Sequence, residues 1–97
     1  MAVVYHPRAQ HEVQQATYWY AQRSLGVAAR FVDELLRAET KIQATPEQWP
    51  RYFRGTRYFR LKRFPYLIVY RLVSEHFQIV AVAHTKRRPY YWSSRLN

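Results

Sequence analysis

The amino-acid sequence predicts an α+β fold with the element order βααβββ, in which an N-terminal helical hairpin packs on a small, mainly antiparallel sheet. Two observations predict this class. Apolar residues recur at spacings of three and four as far as residue 45, as in amphipathic helices, and at a spacing of two beyond residue 56, as in strands. The 97 residues contain no repeat or linker, so we expect a single domain over residues 1–97 that ends in a short C-terminal segment.

The first strand and the first helix are predicted near the N-terminus. Residues 3–5 are apolar and suit an edge strand. Pro7 suits the first turn of a helix, where the missing N–H group has no partner to lose. Beyond it, apolar residues at spacings of four, three and four share one helical face: Ala9, Val13, Ala16 and Tyr20. The first helix is therefore expected to begin at Pro7.

A second helix is predicted after Ser24, because serine is a favoured N-cap and Gly26 interrupts the first pattern. Its end is expected near Thr45, ahead of Pro46. The few residues between the helices predict an antiparallel hairpin whose apolar faces need a partner. The apolar face of the second helix consists of Ala28, Phe31, Leu35, Ala38 and Ile42.

Three strands are predicted in the second half, where aromatic and β-branched residues are frequent. Pro65 separates the first two strands and residues 74–76 form a short turn between the last two, so an antiparallel meander is the simplest topology. The last strand is apolar on both faces, which indicates a central position or cover by the tail. The tail beyond Pro89 is expected to form a short helix or turn, and the sheet face opposite the helices to be basic and aromatic. The strands span residues 57–61, 66–72 and 77–83.

The charge of +10 lies in one half of the chain. Residues 1–50 hold five basic and five acidic side chains, whereas residues 51–97 hold eleven basic side chains and a single acidic one, Glu75. A one-sided basic field attracts polyanions and speeds encounter with them. The partners that this field favours are nucleic acid, a ribosome, a DNA-bound enzyme or an acidic protein.

The composition excludes several kinds of site. The chain has no cysteine, which excludes disulfides and thiolate metal sites and favours a reducing cytoplasm. Its apolar runs are far shorter than the roughly 20 residues that span a bilayer. Two glycines are too few for a Gly-rich phosphate loop. No metal-ligand spacing links the four histidines, His6, His11, His76 and His84, so we expect no metal site. Taken together, these features predict a protein without a metal, a cofactor or membrane association.

Two stretches of the second half resemble ParE-like members of the RelE/ParE superfamily. Residues 60–72 read RLKRFPYLIVYRL and residues 79–95 read IVAVAHTKRRPYYWSSR. In that group a Phe-Pro-Tyr run leads into a strand ending in Tyr-Arg, and a later strand ends in His-x-x-Arg-x-Pro-x-x-Trp. The matching positions here are Phe64, Pro65, Tyr66, Tyr70, Arg71, His84, Arg87, Pro89 and Trp92.

The resemblance implies the toxin of a type II toxin–antitoxin system of the ParE-like, plasmid-stabilisation type. It implies growth arrest by binding a target such as DNA gyrase. It also implies neutralisation by a cognate antitoxin, expected here to use an acidic segment within a toxin–antitoxin hetero-oligomer. The target-binding residues expected from the tail and the sheet are Arg57, Arg60, Arg71, Lys86, Arg87, Arg88 and Arg95.

The alternative within the superfamily is a RelE-like endoribonuclease that cuts mRNA on the ribosome. Such cleavage needs a base, an acid and cations. His84 and Tyr91 are the candidate base and acid, and the cations that could clamp the phosphate are Arg57, Arg60, Arg71 and Arg87. Structural roles compete with each of them: His84 could fix the tail, Arg71 could pair with Glu75 or a helix carboxylate, and the tail aromatics could pack. Many RelE-like nucleases close with His-Tyr or Tyr, so the longer tail here favours the ParE side and an inhibitor over an enzyme.

A third hypothesis is a basic nucleic-acid-binding module without toxicity. Aromatic and basic residues alternate between residues 52 and 60, as base stacking with phosphate contacts requires. Against this hypothesis, no RNP-like or helix-turn-helix signature is present. The residues concerned are Tyr52, Phe53, Arg54, Arg57, Tyr58, Phe59 and Arg60.

Overall fold

Residues 2–97, as described by a computed structural model, form four strands and two α-helices in the predicted order. In chain order these are β1 (Ala2–Tyr5), α1 (Pro7–Ala21), α2 (Leu25–Ala44), β2 (Arg57–Arg60), β3 (Tyr66–Val73) and β4 (His76–His84). Short 3-10 helices span Phe53–Gly55 and Ser93–Leu96. The predicted α+β class with the order βααβββ is confirmed, and each predicted strand end lies within one residue of the observed one.

Local capping sets the helix boundaries. Pro7 is the first residue of α1, as predicted. Ser24 is the N-cap of α2, and its Oγ accepts a hydrogen bond from the N–H of Val27 at 3.3 Å. Thr45, the residue before Pro46, leaves the helical conformation and ends α2. Within residues 2–97 no helix is both long and apolar enough to cross a membrane.

The sheet has the strand order β1-β4-β3-β2. β2, β3 and β4 form the predicted antiparallel meander, and β1 pairs in parallel with β4 at one edge. A register shift between Val69 and Tyr70 bends β3 against β4. The strand that is apolar on both faces, β4, is therefore central in the sheet. A central position was one of the two predicted explanations for its apolar character.

The main core lies between the helical hairpin and one face of the sheet. The predicted helix face supplies Phe31, Leu35 and Ile42, which pack against Ile68 and Ile79 of the sheet. These side chains are almost fully removed from water, and each contributes roughly 1.5–3 kcal/mol by its burial. The sheet therefore supplies the partner that the helix faces lack.

A second, smaller core occupies the opposite face of the sheet. Val69, Val80 and Ala81 are buried there beneath Trp92 of the tail, which is 1% exposed. The cover that was predicted as the other alternative for β4 is thus also present. The cover is itself rich in aromatic residues, Tyr52, Phe53, Tyr91 and Trp92, so the predicted aromatic character of this face is present in the segments that pack over the strands. The tail and residues 52–53 cover its centre.

Candidate target-binding surface

A tight turn after β4 presents three consecutive cations. The carbonyl oxygen of His84 accepts a hydrogen bond from the N–H of Arg87 at 2.9 Å, and His84 Nδ1 accepts one from the N–H of Lys86 at 3.1 Å. These bonds close the turn. Lys86, Arg87 and Arg88, hereafter the basic turn, are all exposed.

A buried carboxylate behind the basic turn holds the tail against α1 and β4. Glu12 of α1 accepts two hydrogen bonds from the Arg95 guanidinium, at 3.0 Å on Oε1 and 2.9 Å on Oε2. Tyr91 donates its hydroxyl to Oε2 at 2.5 Å, and the N–H of Val82 donates to Oε1 at 3.0 Å. We name these four residues the Glu12 cluster. Its four hydrogen bonds join three parts of the chain.

The ion pair in the Glu12 cluster is largely shielded from water. The side chains of Arg95 and Glu12 are 7% and 12% exposed. Arg95 Nη1 also donates to the carbonyl oxygen of Val80 at 3.1 Å, so the guanidinium bridges α1 and the centre of β4. Bidentate charge-assisted hydrogen bonds of this kind fix orientation as well as distance. The cluster therefore determines where the tail, and with it the basic turn, is positioned.

Tyr91 links the Glu12 cluster to the basic turn. Burial and the hydrogen bond to the Glu12 carboxylate raise the pKa of Tyr91 well above its ordinary value, so the phenol stays protonated at neutral pH. The Arg87 guanidinium lies 3.8 Å from the centre of the Tyr91 ring. This cation–π contact restrains the guanidinium of an otherwise exposed side chain.

A cleft of about 570 Å³ opens beside the basic turn, between α1 and the end of β4. Trp19 and Tyr66 form its aromatic walls, and His84 and Arg87 supply polar groups. Tyr66 packs edge-on against the His84 ring at 5.1 Å, and burial raises the pKa of Tyr66 to about 12. In the part of the chain that the structure describes, no group of three or more His, Asp or Glu side chains is placed to hold a metal ion.

The three candidate catalytic residues lie together, but two of them already have hydrogen-bond partners. His84 Nδ1 accepts from the backbone of Lys86, and the Tyr91 hydroxyl donates to Glu12. Arg87 is the exposed member of the three. The arrangement orders the tail and leaves one guanidinium at the surface.

The predicted cations of the sheet already have hydrogen-bond partners within the fold. Arg57 Nη1 donates to the carbonyl oxygen of Trp49 at 2.7 Å. Arg60 Nη1 donates to two carbonyl oxygens of the β2–β3 loop at 2.7 Å each. Arg71 donates to Gln78 Oε1 at 2.8 Å and to the Leu96 carbonyl oxygen at 3.1 Å, rather than to Glu75 or a helix carboxylate. With Arg95, these residues bind other parts of the fold.

Glu12 is the residue that the sequence analysis missed. It lies three residues after Ala9 and four before Ala16, so it shares the buried side of α1. A carboxylate at an apolar helical spacing is a signal for a buried ion pair. Its partner Arg95 is 83 residues away in sequence, and no local pattern identifies it.

A groove of about 1040 Å³ runs between α2 and β2, which is an edge strand. Its floor includes Trp49 and Phe59, whose rings pack edge-to-face at 4.6 Å. Two carboxylates line the groove, and one of them, Glu34, accepts hydrogen bonds from the backbone N–H groups of Lys62 and Arg63. The six cations that line it are Arg30, Arg37, Lys41, Arg60, Lys62 and Arg63.

Comparison with known protein families gives a match over almost the entire chain. The family described as ParE toxin of type II toxin-antitoxin system, parDE, matches residues 3–89. The chain belongs to the ParE toxin family. The resemblance inferred from the motifs of the second half is thereby confirmed.

A solved structure shares the fold of this ParE family member. It is a chain of the chromosomal ParDE TA system from P. aeruginosa, with a TM-score of 0.72 and 20% sequence identity. The match covers 89% of this chain and 97% of that chain. Comparison with curated proteins gave no match. The protein is a ParE-type toxin of a type II toxin–antitoxin system, a family that implies an antitoxin partner.

Proposed function

We propose that this ParE-type toxin arrests bacterial growth by binding DNA gyrase in the cytoplasm through the basic turn. The observation that carries the proposal is that Lys86, Arg87 and Arg88 are exposed on a turn whose position is fixed by the Glu12 cluster. A pre-positioned cationic surface loses little conformational freedom on binding and is steered toward negatively charged surfaces. An enzyme that holds DNA offers such a surface.

The geometry favours inhibition by binding over RNA cleavage. A ribonuclease needs an available base and acid together with converging cations. The Tyr91 hydroxyl donates to Glu12 and its pKa is raised, while the guanidinium groups of Arg57, Arg60 and Arg71 bind carbonyl or amide oxygens of the fold. The RelE-like alternative retains one supporting observation, which is that His84, Arg87 and Tyr91 lie at the same end of β4.

We also propose that the cognate antitoxin neutralises the toxin by placing an acidic segment in the groove between α2 and β2. Six cations line this groove, and one of its two carboxylates binds the β2–β3 loop. The apolar floor suits helix-in-groove binding, whereas strand addition is restricted to the end of β2, because Tyr58 already donates its N–H to the Pro50 carbonyl oxygen at 3.1 Å. The resulting assembly is a toxin–antitoxin hetero-oligomer.

The gyrase proposal is tested by inhibition of supercoiling. The triple variant Lys86→Gln, Arg87→Gln, Arg88→Gln is compared with the wild-type protein and with Arg8→Gln, which removes an exposed cation from α1. The triple variant is expected to lose inhibition and growth arrest while it remains folded, with at most a small decrease in melting temperature from the loss of the Arg87–Tyr91 contact. Arg8→Gln is expected to behave as the wild type. Equal inhibition by all three proteins would exclude the basic turn.

The ribonuclease alternative is tested by mapping new RNA 5′ ends across the transcriptome after the toxin is induced alone. The gyrase proposal predicts growth arrest without codon-phased cuts. Codon-phased cuts within translated messages would overturn that proposal and assign catalytic roles to His84, Arg87 and Tyr91.

The antitoxin proposal is tested by reversing charge in the groove. Arg37→Glu with Lys41→Glu removes two exposed cations of α2, and the protein is expected to remain toxic because the basic turn is unchanged. Co-expression of the antitoxin encoded beside the toxin should then fail to restore growth. Full rescue of this variant would place the antitoxin on another surface.

A further inference from the structure

The rim of the second core carries aromatic rings that the gyrase proposal does not use. Phe53 and Tyr90 stack with their ring centres 4.6 Å apart and their planes 24° apart. Tyr52 lies 5.3 Å from Tyr90. We call Tyr52, Phe53 and Tyr90 the aromatic platform. It joins two segments that are almost 40 residues apart in sequence.

Tyr90 is the exposed ring of the aromatic platform, and the platform lies among cations. Tyr90 remains 42% exposed although it stacks on Phe53. The Arg54 guanidinium lies 5.1 Å from the centre of the Phe53 ring, and both Arg51 and Arg54 are exposed. Residues 48–74 and 76–97, which include the platform and its neighbours, contain no aspartate or glutamate. Within residues 2–97 neither Arg51 nor Arg54 forms a salt bridge, so the platform combines flat apolar rings with unpaired positive charge.

Backbone strain coincides with this surface. Arg54 has φ 52° and ψ 56°, and Tyr90 has φ 62°. These values lie in the left-handed region, which is unfavourable for residues other than glycine and occurs in turns, as at Ser74, and at functional sites. Tyr90 is one of the two stacked residues, and Arg54 directly follows the other, Phe53.

We propose that the aromatic platform binds single-stranded nucleic acid, with a base stacked on Tyr90 and phosphates held by Arg51 and Arg54. Stacking on an aromatic ring requires only the flat face of a base, so it is tolerant of sequence and available only where bases are unpaired. An acidic peptide would satisfy the arginines but leave the rings without a matching planar group. The platform includes no residue of the basic turn, so the proposal does not depend on gyrase being the target.

The test measures binding of a fluorescent oligothymidylate of about twelve nucleotides by anisotropy. Tyr90→Leu and Phe53→Leu keep apolar volume and remove the ring, and each is expected to raise Kd by about 5- to 100-fold. Tyr90→Phe keeps the ring and should bind as the wild type. Tyr18→Leu removes an aromatic ring that is 66% exposed on α1, outside the platform, and should also leave binding unchanged.

Salt dependence separates the arginine contacts from the stacking. Each phosphate contact to a single strand contributes about −0.7 to the slope of log K against log salt concentration. Arg54→Gln is therefore expected to reduce the slope by about 0.7, whereas Tyr90→Leu should leave it unchanged. An oligouridylate of the same length tests whether the strand is RNA. If the oligouridylate binds as tightly as the oligothymidylate or more tightly, the proposal is supported with RNA as the bound strand.

Two outcomes would overturn the proposal. One is unchanged affinity in Tyr90→Leu and Phe53→Leu, and the other is a duplex of the same length binding as tightly as the single strand. If a leucine variant does not fold, photo-crosslinking of the wild-type protein to an iodouracil-containing oligonucleotide provides the answer. Adducts at Phe53 or Tyr90 support the proposal, and adducts confined to other segments refute it.

Discussion

The basic turn and the Glu12 cluster belong to the same tail, yet they hold their arginines in opposite ways. Arg87 is exposed and rests on the Tyr91 ring, whereas Arg95 is 7% exposed and donates to Glu12 and to a backbone carbonyl. The net charge calculated from the sequence counts Arg87 and Arg95 equally. Burial and hydrogen bonding separate the cation that stabilises the fold from the one that can meet a partner.

The largest effect is expected where the tail packs on the sheet. Trp92→Ala deletes a side chain that is 1% exposed in the second core, and we expect a loss of about 3 kcal/mol in the free energy of unfolding. Urea unfolding followed by circular dichroism measures the loss. An unchanged unfolding midpoint would mean that the tail does not stabilise the sheet.

The next effect concerns the Glu12 cluster. Glu12→Ala leaves the Arg95 guanidinium buried without its carboxylate, and a loss of roughly 3 kcal/mol is expected. Glu47→Gln, which neutralises an exposed carboxylate, should change stability by less than about 0.5 kcal/mol. Equal melting temperatures for the two variants would contradict the prediction that the buried carboxylate of Glu12 contributes more to stability than the exposed one of Glu47.

A pH-dependent effect is expected in alkaline solution. Burial raises the pKa of Tyr66 and of Tyr70 to about 12, which means that the folded state favours the neutral phenols. Their contribution to stability is complete below the unfolded pKa of about 10 and is lost as the pH rises from about 10 to about 12. Unfolding free energies measured across this range should fall, and Tyr70→Phe should make the fall shallower. Parallel profiles for both proteins would contradict the assignment to Tyr70.

The smallest effect on stability is expected at the basic turn. Arg87→Ala removes an exposed guanidinium and its contact with Tyr91, so stability should fall by less than about 1 kcal/mol. Growth arrest should nevertheless weaken at equal expression, while Arg8→Ala should leave it unchanged. Undiminished toxicity of Arg87→Ala would remove this side chain from the functional surface.

The sequence predicted the elements well because each depends on neighbours a few residues apart. The helix face of Ala28, Phe31 and Leu35 and the capping by Ser24 are local patterns, and all of them lie where expected. The apolar character of β4 on both faces correctly indicated cover by the tail. The family followed from the motif between His84 and Trp92.

The candidate site was harder to predict, because its contacts join distant segments. Glu12 meets Val82 and Arg95 across 70 and 83 residues, and Phe53 meets Tyr90 across two separate loops. Arg60 and Arg71 matched a phosphate clamp by residue type, but their carbonyl and amide partners depend on the folded backbone. Residue type identified the cations and could not assign their partners.

The position of β4 also affects when the toxin folds during its synthesis. β1 and the helical hairpin leave the ribosome first, but their sheet partner β4 and the Arg95 partner of Glu12 follow many residues later. Until β4 emerges, the apolar faces of the hairpin have no sheet against which to close. We therefore expect the nascent chain to remain inactive until translation of this region is complete, which gives an antitoxin already present the opportunity to bind each new toxin molecule as it folds.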